Sequence, residues 1–212
     1  VISVAVPGPG YYKAGEKLNF SVTFDRNVTV QGVPSIPVFI GQVTRSAVYQ
    51  GVSGGKVLTF SYTVQPGDMD MNGISLASRI DLNGGNIFNS ANEPSNTQLN
   101  NVGAMNGVLV STANPTVVLS TSSPASSDEK IITITFSEAV LGLEESDFKI
   151  STTGLHEITY RLDSSFNNIV YTLRMQVKSS ESVQIQLPQN AAVSFFGNES
   201  LASNILDISV VK

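Results

Sequence analysis

Cysteine and tryptophan are absent from this chain of 212 residues, and histidine occurs only once, as His156. Without cysteine there can be no disulfides, no thiolate metal ligands and no cysteine nucleophiles. A histidine-based zinc centre or a serine hydrolase would have to rely on His156 alone. We therefore expect a chain that is not an enzyme and has no catalytic centre of its own.

Charged residues are also scarce. They make up 14% of the chain, and the formal net charge is −5 at pH 7. Nucleic-acid binding needs clustered lysine and arginine, so we expect no nucleic-acid partner. No apolar run approaches the ~20 residues of a membrane-spanning helix, so we expect no direct insertion into a membrane.

The chain is rich in short segments in which apolar and polar residues alternate. Such segments lie at 18–24, 57–64, 131–136 and 169–175, and polar turns separate them. Alternation with a period of two predicts strands that bury one face. The sequence therefore predicts an all-β fold, and strands at this spacing pack most economically as two antiparallel sheets, face to face.

One strand and the turn after it occur twice. The segment 18–24 ends in phenylalanine and runs into Asp-Arg-Asn-Val, while the segment 131–136 ends in phenylalanine and runs into Ser-Glu-Ala-Val. A second echo pairs Asn-Glu at 92–93 with Asn-Glu at 198–199. Repetition at this spacing indicates two related modules in tandem.

We place the first module at residues 1–112 and the second at residues 113–212. The segment that joins them, 111–115, is short and contains Pro115 but no glycine. Proline restricts both its own backbone and that of the residue before it. The joint should therefore be stiffer than a flexible Gly/Ser tether.

The motifs of both modules, taken in order, suggest a relationship to known proteins. Those of the first are Tyr12-Lys13-Ala14-Gly15-Glu16, Phe24-Asp25-Arg26-Asn27-Val28, Gly32-Val33-Pro34, Arg45-Ser46-Ala47-Val48-Tyr49 and the segments 58–64, 67–70 and 82–87. Those of the second are the segments 135–140 and 146–148 and Gly197-Asn198. The first module resembles the bacterial Ig-like, cadherin-like repeats of large exported surface proteins, and the second resembles a sister bacterial Ig-like type.

This resemblance implies two tandem Ig-like antiparallel β-sandwich domains. It also implies a non-catalytic structural or adhesive segment of an exported bacterial surface protein, located outside the cell or on its surface. We expect a monomer whose partner is an unidentified protein or glycan at the cell surface. A sugar- or protein-binding module and an accessory region of a larger extracellular enzyme are the two alternatives.

A possible metal motif lies at Asp68-Met69-Asp70-Met71-Asn72-Gly73. It reproduces the first half of a calcium loop, in which alternate side-chain oxygens converge on one ion and a glycine permits the sharp turn. The second half is missing, because the twelfth position is Arg79. Asp68, Asp70 and Asn72 are the candidate ligands of a calcium ion, which would be the only cofactor. The alternative is a polar turn without a metal.

Oxygen ligands from neighbouring loops, such as Asp81 or Asp25, could complete the calcium site. Calcium is the expected ion because hard oxygen donors suit it, whereas zinc and copper favour imidazole and thiolate ligands.

Two further patterns have chemical interpretations. Ser53 lies in a G-x-S-x-G sequence, which serves as a nucleophile elbow only at a strand-to-helix turn. Its flanks are predicted strands, so we interpret it as a hairpin turn. The second pattern is an acidic group, interpreted as a solvated rim, a cation site or a carboxylate pair for glycosidic chemistry. Its members are Glu138, Glu144, Glu145, Asp147 and Asn198.

Overall fold

The computed structural model of the protein describes residues 1–123, 128–153, 158–163, 165, 167–177 and 182–209. Regular structure in these residues consists of β-strands and one short 3-10 turn, η1, at Glu145–Asp147. The all-β prediction is confirmed. The first eleven strands are β1 Ser3–Ala5, β2 Gly10–Tyr12, β3 Lys17–Thr23, β4 Val28–Gln31, β5 Ser35–Ile40, β6 Val43–Ser53, β7 Val57–Thr63, β8 Met69–Asp70, β9 Ser75–Leu76, β10 Asn86–Asn89 and β11 Val108–Ser111. The remaining described strands are β12 Val117–Thr121, β13 Glu129–Phe136, β14 Val140–Leu141, β15 Lys149–Thr152, β16 Thr159–Asp163, β17 Val170–Gln176, β18 Ser182–Gln186, β19 Val193–Ser194 and β20 Leu206–Ser209.

The chain divides into two compact units, which we call unit 1 (Val1–Ala113) and unit 2 (Asn114–Lys212). This division falls one residue beyond the boundary expected from the sequence.

Unit 1 contains a six-stranded sheet in the order β1-β3-β7-β6-β5-β9, a three-stranded sheet β2-β11-β8 and a pair β10-β4. The alternation seen in the sequence produces its core. Phe20 of β3 pairs directly with Phe60 of β7, and both are 1% exposed. Val110 of the three-stranded sheet and Ile87 of β10 belong to the same buried cluster. The core therefore lies between the large sheet and the smaller ones.

Unit 2 contains a four-stranded sheet in the order β12-β13-β17-β16, a three-stranded sheet β15-β18-β20 and a pair β14-β19. Ile132 of β13 pairs with Leu173 of β17, and both are fully buried. Val183 and Ile185 of the three-stranded sheet join the same core cluster. Described strand pairs in this unit are antiparallel.

One strand pair in unit 1 departs from the expected antiparallel arrangement. β2 runs parallel to β11, and Val4 of β1 forms a parallel bridge to Val102. The residues between β1 and β2 are Val6-Pro7-Gly8-Pro9. Prolines cannot continue a strand ladder because they lack an N–H group. The chain therefore leaves the six-stranded sheet here and joins the three-stranded sheet, where β2 lies beside β11.

The repeated strand of the sequence forms a defined turn in unit 1. The backbone N–H of Phe24 donates to the carbonyl of Lys56 at 2.9 Å, and that of Val28 donates to the carbonyl of Gly55 at 2.8 Å. Gly55 has a φ of 74°. The turn is thus fastened at both ends to the hairpin that precedes β7.

Unit 2 repeats this arrangement bond for bond. The N–H of Phe136 donates to the carbonyl of Ile169 at 2.9 Å, and that of Val140 donates to the carbonyl of Asn168 at 2.8 Å. Asn168 is also left-handed, with a φ of 56°. Asparagine is one of the few residues other than glycine that adopt this conformation readily. The sequence repeat therefore corresponds to a structural repeat.

The second echo is also a structural repeat, but its sequence register was wrong by one residue. In unit 1 the N–H of Asn92 donates to the carbonyl of Asn89 at 2.9 Å, and in unit 2 that of Gly197 donates to the carbonyl of Ser194 at 2.8 Å. Asn92 and Gly197 have φ values of 60° and 77°. The counterpart of Asn92 is therefore Gly197 rather than Asn198, because the turn requires a left-handed residue.

Candidate functional site

Asp68 is the most deeply buried charged group of unit 1, with no exposed surface. Its Oδ1 accepts a hydrogen bond from Nε of Arg45 at 2.7 Å. Its Oδ2 accepts the backbone N–H of Gln65 at 2.8 Å and the hydroxyl of Tyr62. A buried carboxylate is costly unless such partners satisfy it. These three donors come from β6, from β7 and from the loop after β7, so Asp68 connects all three.

The surroundings of Asp68 also change the acidity of its partners. Burial, the hydrogen bond to Asp68 and the negative charge of Asp68 together raise the pKa of Tyr62 to about 12. The hydrogen bond to Asp68 also raises the pKa of Arg45, whose side chain is 31% exposed. At neutral pH the cluster therefore consists of an ion pair and a neutral tyrosine whose hydroxyl donates a hydrogen bond to Asp68.

Asp70 holds a different set of loops. Its Oδ2 accepts the N–H of Gly41 at 2.7 Å, and its Oδ1 accepts the N–H groups of Asn72 at 3.1 Å and Gly73 at 2.9 Å. Gly41 has a φ of 58°, and a Cβ atom there would collide with the backbone oxygen of Met69. Only glycine fits at this point. Asp70 thus fastens the β5–β6 hairpin to β8.

These contacts bear directly on the calcium hypothesis. Every carboxylate oxygen of Asp68 and Asp70 accepts an N–H or O–H group, and the side chain of Asn72 is exposed. Asp81 accepts the N–H of Asn83, and Asp25 pairs with the neighbouring arginine at the surface. Within the described ranges no three His, Asp or Glu side chains are grouped closely enough to hold a metal.

Calcium takes six to eight oxygen ligands. In unit 1 the positive ends of N–H and O–H dipoles, and one guanidinium, surround the carboxylates instead. This donor set does not fit Ca²⁺ and favours the alternative interpretation of the motif, a polar turn. Calcium binding by Asp68, Asp70 and Asn72 stays a prediction.

The acidic group of unit 2 makes local structural contacts. The N–H of Glu144 donates to Oδ2 of Asp147 at 2.7 Å, which closes a capping box around η1. Oε1 of Glu145 accepts the N–H of Leu162 at 2.9 Å, which covers a backbone donor of β16 at the edge of its sheet. Burial raises the pKa of Glu138. Two members of the group, Glu145 and Asp147, thus accept backbone N–H groups.

The serine motif is a hairpin turn, as its flanks predicted. β6 ends at Ser53, which pairs with Val57 at the start of β7, and Gly54 and Gly55 between them have φ values of 57° and 74°. The strand-to-helix turn of a nucleophile elbow is therefore not formed here. His156 lies outside the described residues.

Asn204 has a structural role that sequence reasoning missed. Its Oδ1 accepts the N–H of Leu119 at 2.8 Å and its Nδ2 donates to the carbonyl of Leu119 at 3.0 Å. At the equivalent place in unit 1, Val4 makes the same two bonds to the backbone of Asn101 and Gly103. A side-chain amide in unit 2 therefore replaces a strand bridge of unit 1. Nothing distinguishes Asn204 in the sequence from the other asparagines.

The described surface has several shallow concavities, and two of them lie in different units. One, of about 510 Å³, is in unit 2 and is lined by residues 148–151 and 184–186 and by Ile205. The other, of about 390 Å³, is in unit 1 and is lined by residues 1–2, 24–26, 89 and 93–96. Ser53 lines neither of them. Both are open grooves, as expected for contact surfaces rather than for enclosed catalytic pockets.

Comparison with known proteins agrees with this picture for the second half of the chain. Residues 111–210 match the model of a protein family described as a bacterial Ig-like domain. Unit 2 is similar to bacterial Ig-like domains. The expected resemblance of the second module to bacterial Ig-like domains is confirmed. The resemblance of unit 1 to tandem Ig-like repeats of large surface proteins stays a prediction.

Other comparisons add little to the Ig-like assignment. No curated protein matches the chain. Two solved structures of a marsupial T cell receptor align with 96% and 99% of this chain and with 93% and 61% of their own chains. Their identities are 11% and 10%, and their TM-scores are 0.28 and 0.29. Likeness at this level supports no functional argument. No helix in the described ranges is both long and apolar enough to span a membrane.

Proposed function

We propose that the chain is a non-catalytic structural segment of an exported bacterial surface protein, in which two β-sandwich units space or display other parts of that protein. The observation that carries this proposal is that the buried carboxylates of unit 1 accept structural hydrogen bonds. Asp68 and Asp70 are both occupied in joining loops and strands of unit 1. The Ig-like match of residues 111–210 supports an extracellular location.

The chain around the joint also supports a spacer role. Oγ1 of Thr112 accepts the N–H of Gly67 at 2.8 Å within unit 1. The carbonyl of Pro115 accepts the N–H of Leu201 at 2.8 Å within unit 2. Each unit thus holds its own end of the connecting segment by hydrogen bonds. A segment of this kind resists fraying better than a free tether, which is what a spacer under load requires.

A replacement experiment tests the proposal. In the surface protein that carries this chain, residues 1–212 are exchanged for two unrelated β-sandwich domains of similar length, and a second variant lacks the chain altogether. We expect the deletion to reduce surface display or adhesion and the exchange to restore it. Failure of the exchange to restore it, in a variant that is displayed normally, would favour a specific binding role instead.

The groove of unit 2 favours a second candidate function, a sugar- or protein-binding module. Lys149, Ser151 and Gln184 present polar groups along it, and Ile205 adds an apolar contact that is 55% exposed. A glycan array and a pull-down with the purified chain would detect such binding. Saturable binding that is lost in Lys149→Ala with Gln184→Ala, but kept in a control with Asn19→Ala in unit 1, would establish it.

The third possibility, an accessory region of an extracellular enzyme, depends on the rest of the protein. A hydrolytic domain encoded in the same reading frame would favour it over a stalk. The chain itself should hydrolyse no ester, peptide or glycan. Robust activity of the purified chain that disappears in Ser53→Ala or His156→Ala would refute the non-catalytic assignment.

A further inference from the structure

Asparagine is followed by glycine three times in the chain, at 72–73, 83–84 and 106–107. Such pairs can deamidate spontaneously. The backbone nitrogen of the glycine attacks Cγ of the asparagine, a C–N bond forms and ammonia leaves, which gives a cyclic succinimide. Water then opens the ring to aspartate or isoaspartate. Glycine favours the attack because it has no Cβ to obstruct it. In an unfolded chain the three pairs should react at similar rates, so the fold decides which one reacts in the native protein.

The pair at 72–73 is held by Asp70. The attacking nitrogen would be that of Gly73, whose N–H donates to Oδ1 of Asp70 at 2.9 Å. The N–H of Asn72 donates to the same oxygen at 3.1 Å. A Cβ atom on Gly73 would lie 2.5 Å from Cα of Asn106, so the backbone has little room to turn towards the side chain. This pair is therefore protected.

The pair at 83–84 is held through its side chain. Nδ2 of Asn83 donates to the carbonyl of Val33 at 3.0 Å and to Oγ of Ser35 at 3.1 Å. The N–H of Asn83 donates to Oδ1 of Asp81 at 2.9 Å. The carboxamide would have to give up two hydrogen bonds before it could reach the nitrogen of Gly84. This pair is also protected.

The pair at 106–107 shares the close approach between Asn106 and Gly73, but it lacks the hydrogen bonds that hold the other two pairs. Asn106 is exposed, and in the described part of the chain neither its side chain nor the nitrogen of Gly107 makes a hydrogen bond. The two residues lie at the tip of a turn closed by the N–H of Val108 and the carbonyl of Met105 at 3.0 Å. We propose that Asn106 is a site of spontaneous deamidation in the folded protein.

The position of Asn106 gives the modification a structural effect. It lies two residues before β11, which is bonded to both β2 and β8. Isoaspartate adds an extra carbon to the backbone, at a point where the backbone already packs tightly against Gly73. Deamidation to either product also adds a negative charge to a chain of net charge −5. We expect the isoaspartate form to loosen the start of β11 and to speed amide hydrogen exchange in β2 and β11.

Peptide mapping by mass spectrometry tests the assignment. The folded chain is incubated at mildly alkaline pH and physiological temperature, and a second sample is incubated in denaturant. In the folded sample we expect the Asn106 peptide to convert at least about tenfold faster than the other two, which corresponds to a barrier lower by about 1.4 kcal/mol. In denaturant the three peptides should convert at similar rates. Asn106→Gln should abolish the fast conversion.

Two outcomes would overturn the assignment. One is equal or faster conversion at Asn72 or Asn83 in the folded sample. The other is conversion of Asn106 at the same slow rate as the two restrained sites, which would show that its turn protects it equally well. The denatured sample separates these outcomes from a difference in intrinsic reactivity.

Discussion

Replacement of Tyr62 by phenylalanine removes one hydroxyl from the buried carboxylate cluster of unit 1. The ring remains the same size and only the space of one hydroxyl is left, so the packing loss is small. Asp68 keeps Arg45 and the N–H of Gln65 but loses the tyrosine donor. A hydrogen bond to a charged group contributes about 1.5–3 kcal/mol. We expect Tyr62→Phe to lower the free energy of unfolding of unit 1 by this amount at pH 7.

Tyr171 of unit 2 provides a matched control. Both tyrosines are 8% exposed, but the hydroxyl of Tyr171 donates to a neutral acceptor, the carbonyl of Val140, at 2.9 Å. Tyr171→Phe should therefore destabilise its unit by only about 0.5–1.5 kcal/mol. Urea unfolding followed by circular dichroism measures both changes, and hydrogen exchange assigns each loss to its unit. Equal losses in the two variants would show that the charge of Asp68 adds nothing.

The same variant has a distinct dependence on alkaline pH. An unfolded tyrosine ionises near pH 10, whereas the pKa of Tyr62 in the folded protein is raised to about 12. The folded state thus binds one proton more than the unfolded state between these values, so the stability from neutral Tyr62 is complete below pH ~10 and is lost as the pH rises through 12. The wild type should lose up to ~1.4 kcal/mol more per pH unit than Tyr62→Phe in this window. Parallel pH profiles for the two proteins would refute a raised pKa.

Three further predictions concern the loops and the ion. Gly41→Ala should destabilise unit 1 by about 2–5 kcal/mol in urea unfolding, because the new Cβ would meet the backbone of Met69. Gly54 has open space around it, so Gly54→Ala should cost only about 1–2 kcal/mol. Similar losses in the two variants would contradict the close contact at Gly41. Asn204→Ala removes both hydrogen bonds to Leu119 and should lower the free energy of unfolding of unit 2 by about 1–3 kcal/mol, with faster amide exchange in β12. An unchanged exchange rate would show that the hydrogen bonds from Asn204 to Leu119 are not needed. If the hydrogen-bonded carboxylates form only a polar turn, the melting temperature should be the same in millimolar calcium and in chelator. A calcium-dependent rise would instead support the predicted calcium site.

Periodicity made the core predictable, because strand alternation is a local property of the sequence. Leu18, Phe20 and Val22 are buried as their spacing indicated, and so are Ile132 and Ile134. The repeat was equally visible, since the same turn needs the same apolar residues at its two ends. The second echo was placed one residue out of register because its turn requires a left-handed backbone conformation, which asparagine and glycine both adopt.

The candidate site was less predictable, because its meaning depends on partners that are remote in the sequence. The spacing of Asp68 and Asp70 is the same for a metal loop and for a polar turn. The metal loop and the polar turn differ in whether Arg45, Tyr62 and Gly41 donate hydrogen bonds to the carboxylates. These donors lie outside the six-residue motif, so the motif alone cannot predict them. The parallel pairing of β2 with β11 was missed for the same reason, since it joins the two ends of unit 1.

In the described structure, β2 pairs within its sheet with β11, which ends at Ser111. The three-stranded sheet of unit 1 therefore cannot form until Ser111 has left the ribosome. Bacterial and eukaryotic ribosomes add ~5–20 residues per second, so the chain from β2 to β11 takes on the order of 5–20 s to make. Throughout that interval the three-stranded sheet is incomplete, and the part of the core that Val108 and Val110 of β11 contribute is missing. A translocation machinery that engages the chain early would thread an open segment, whereas one that arrives after Ser111 would first have to pull apart a finished β-sandwich.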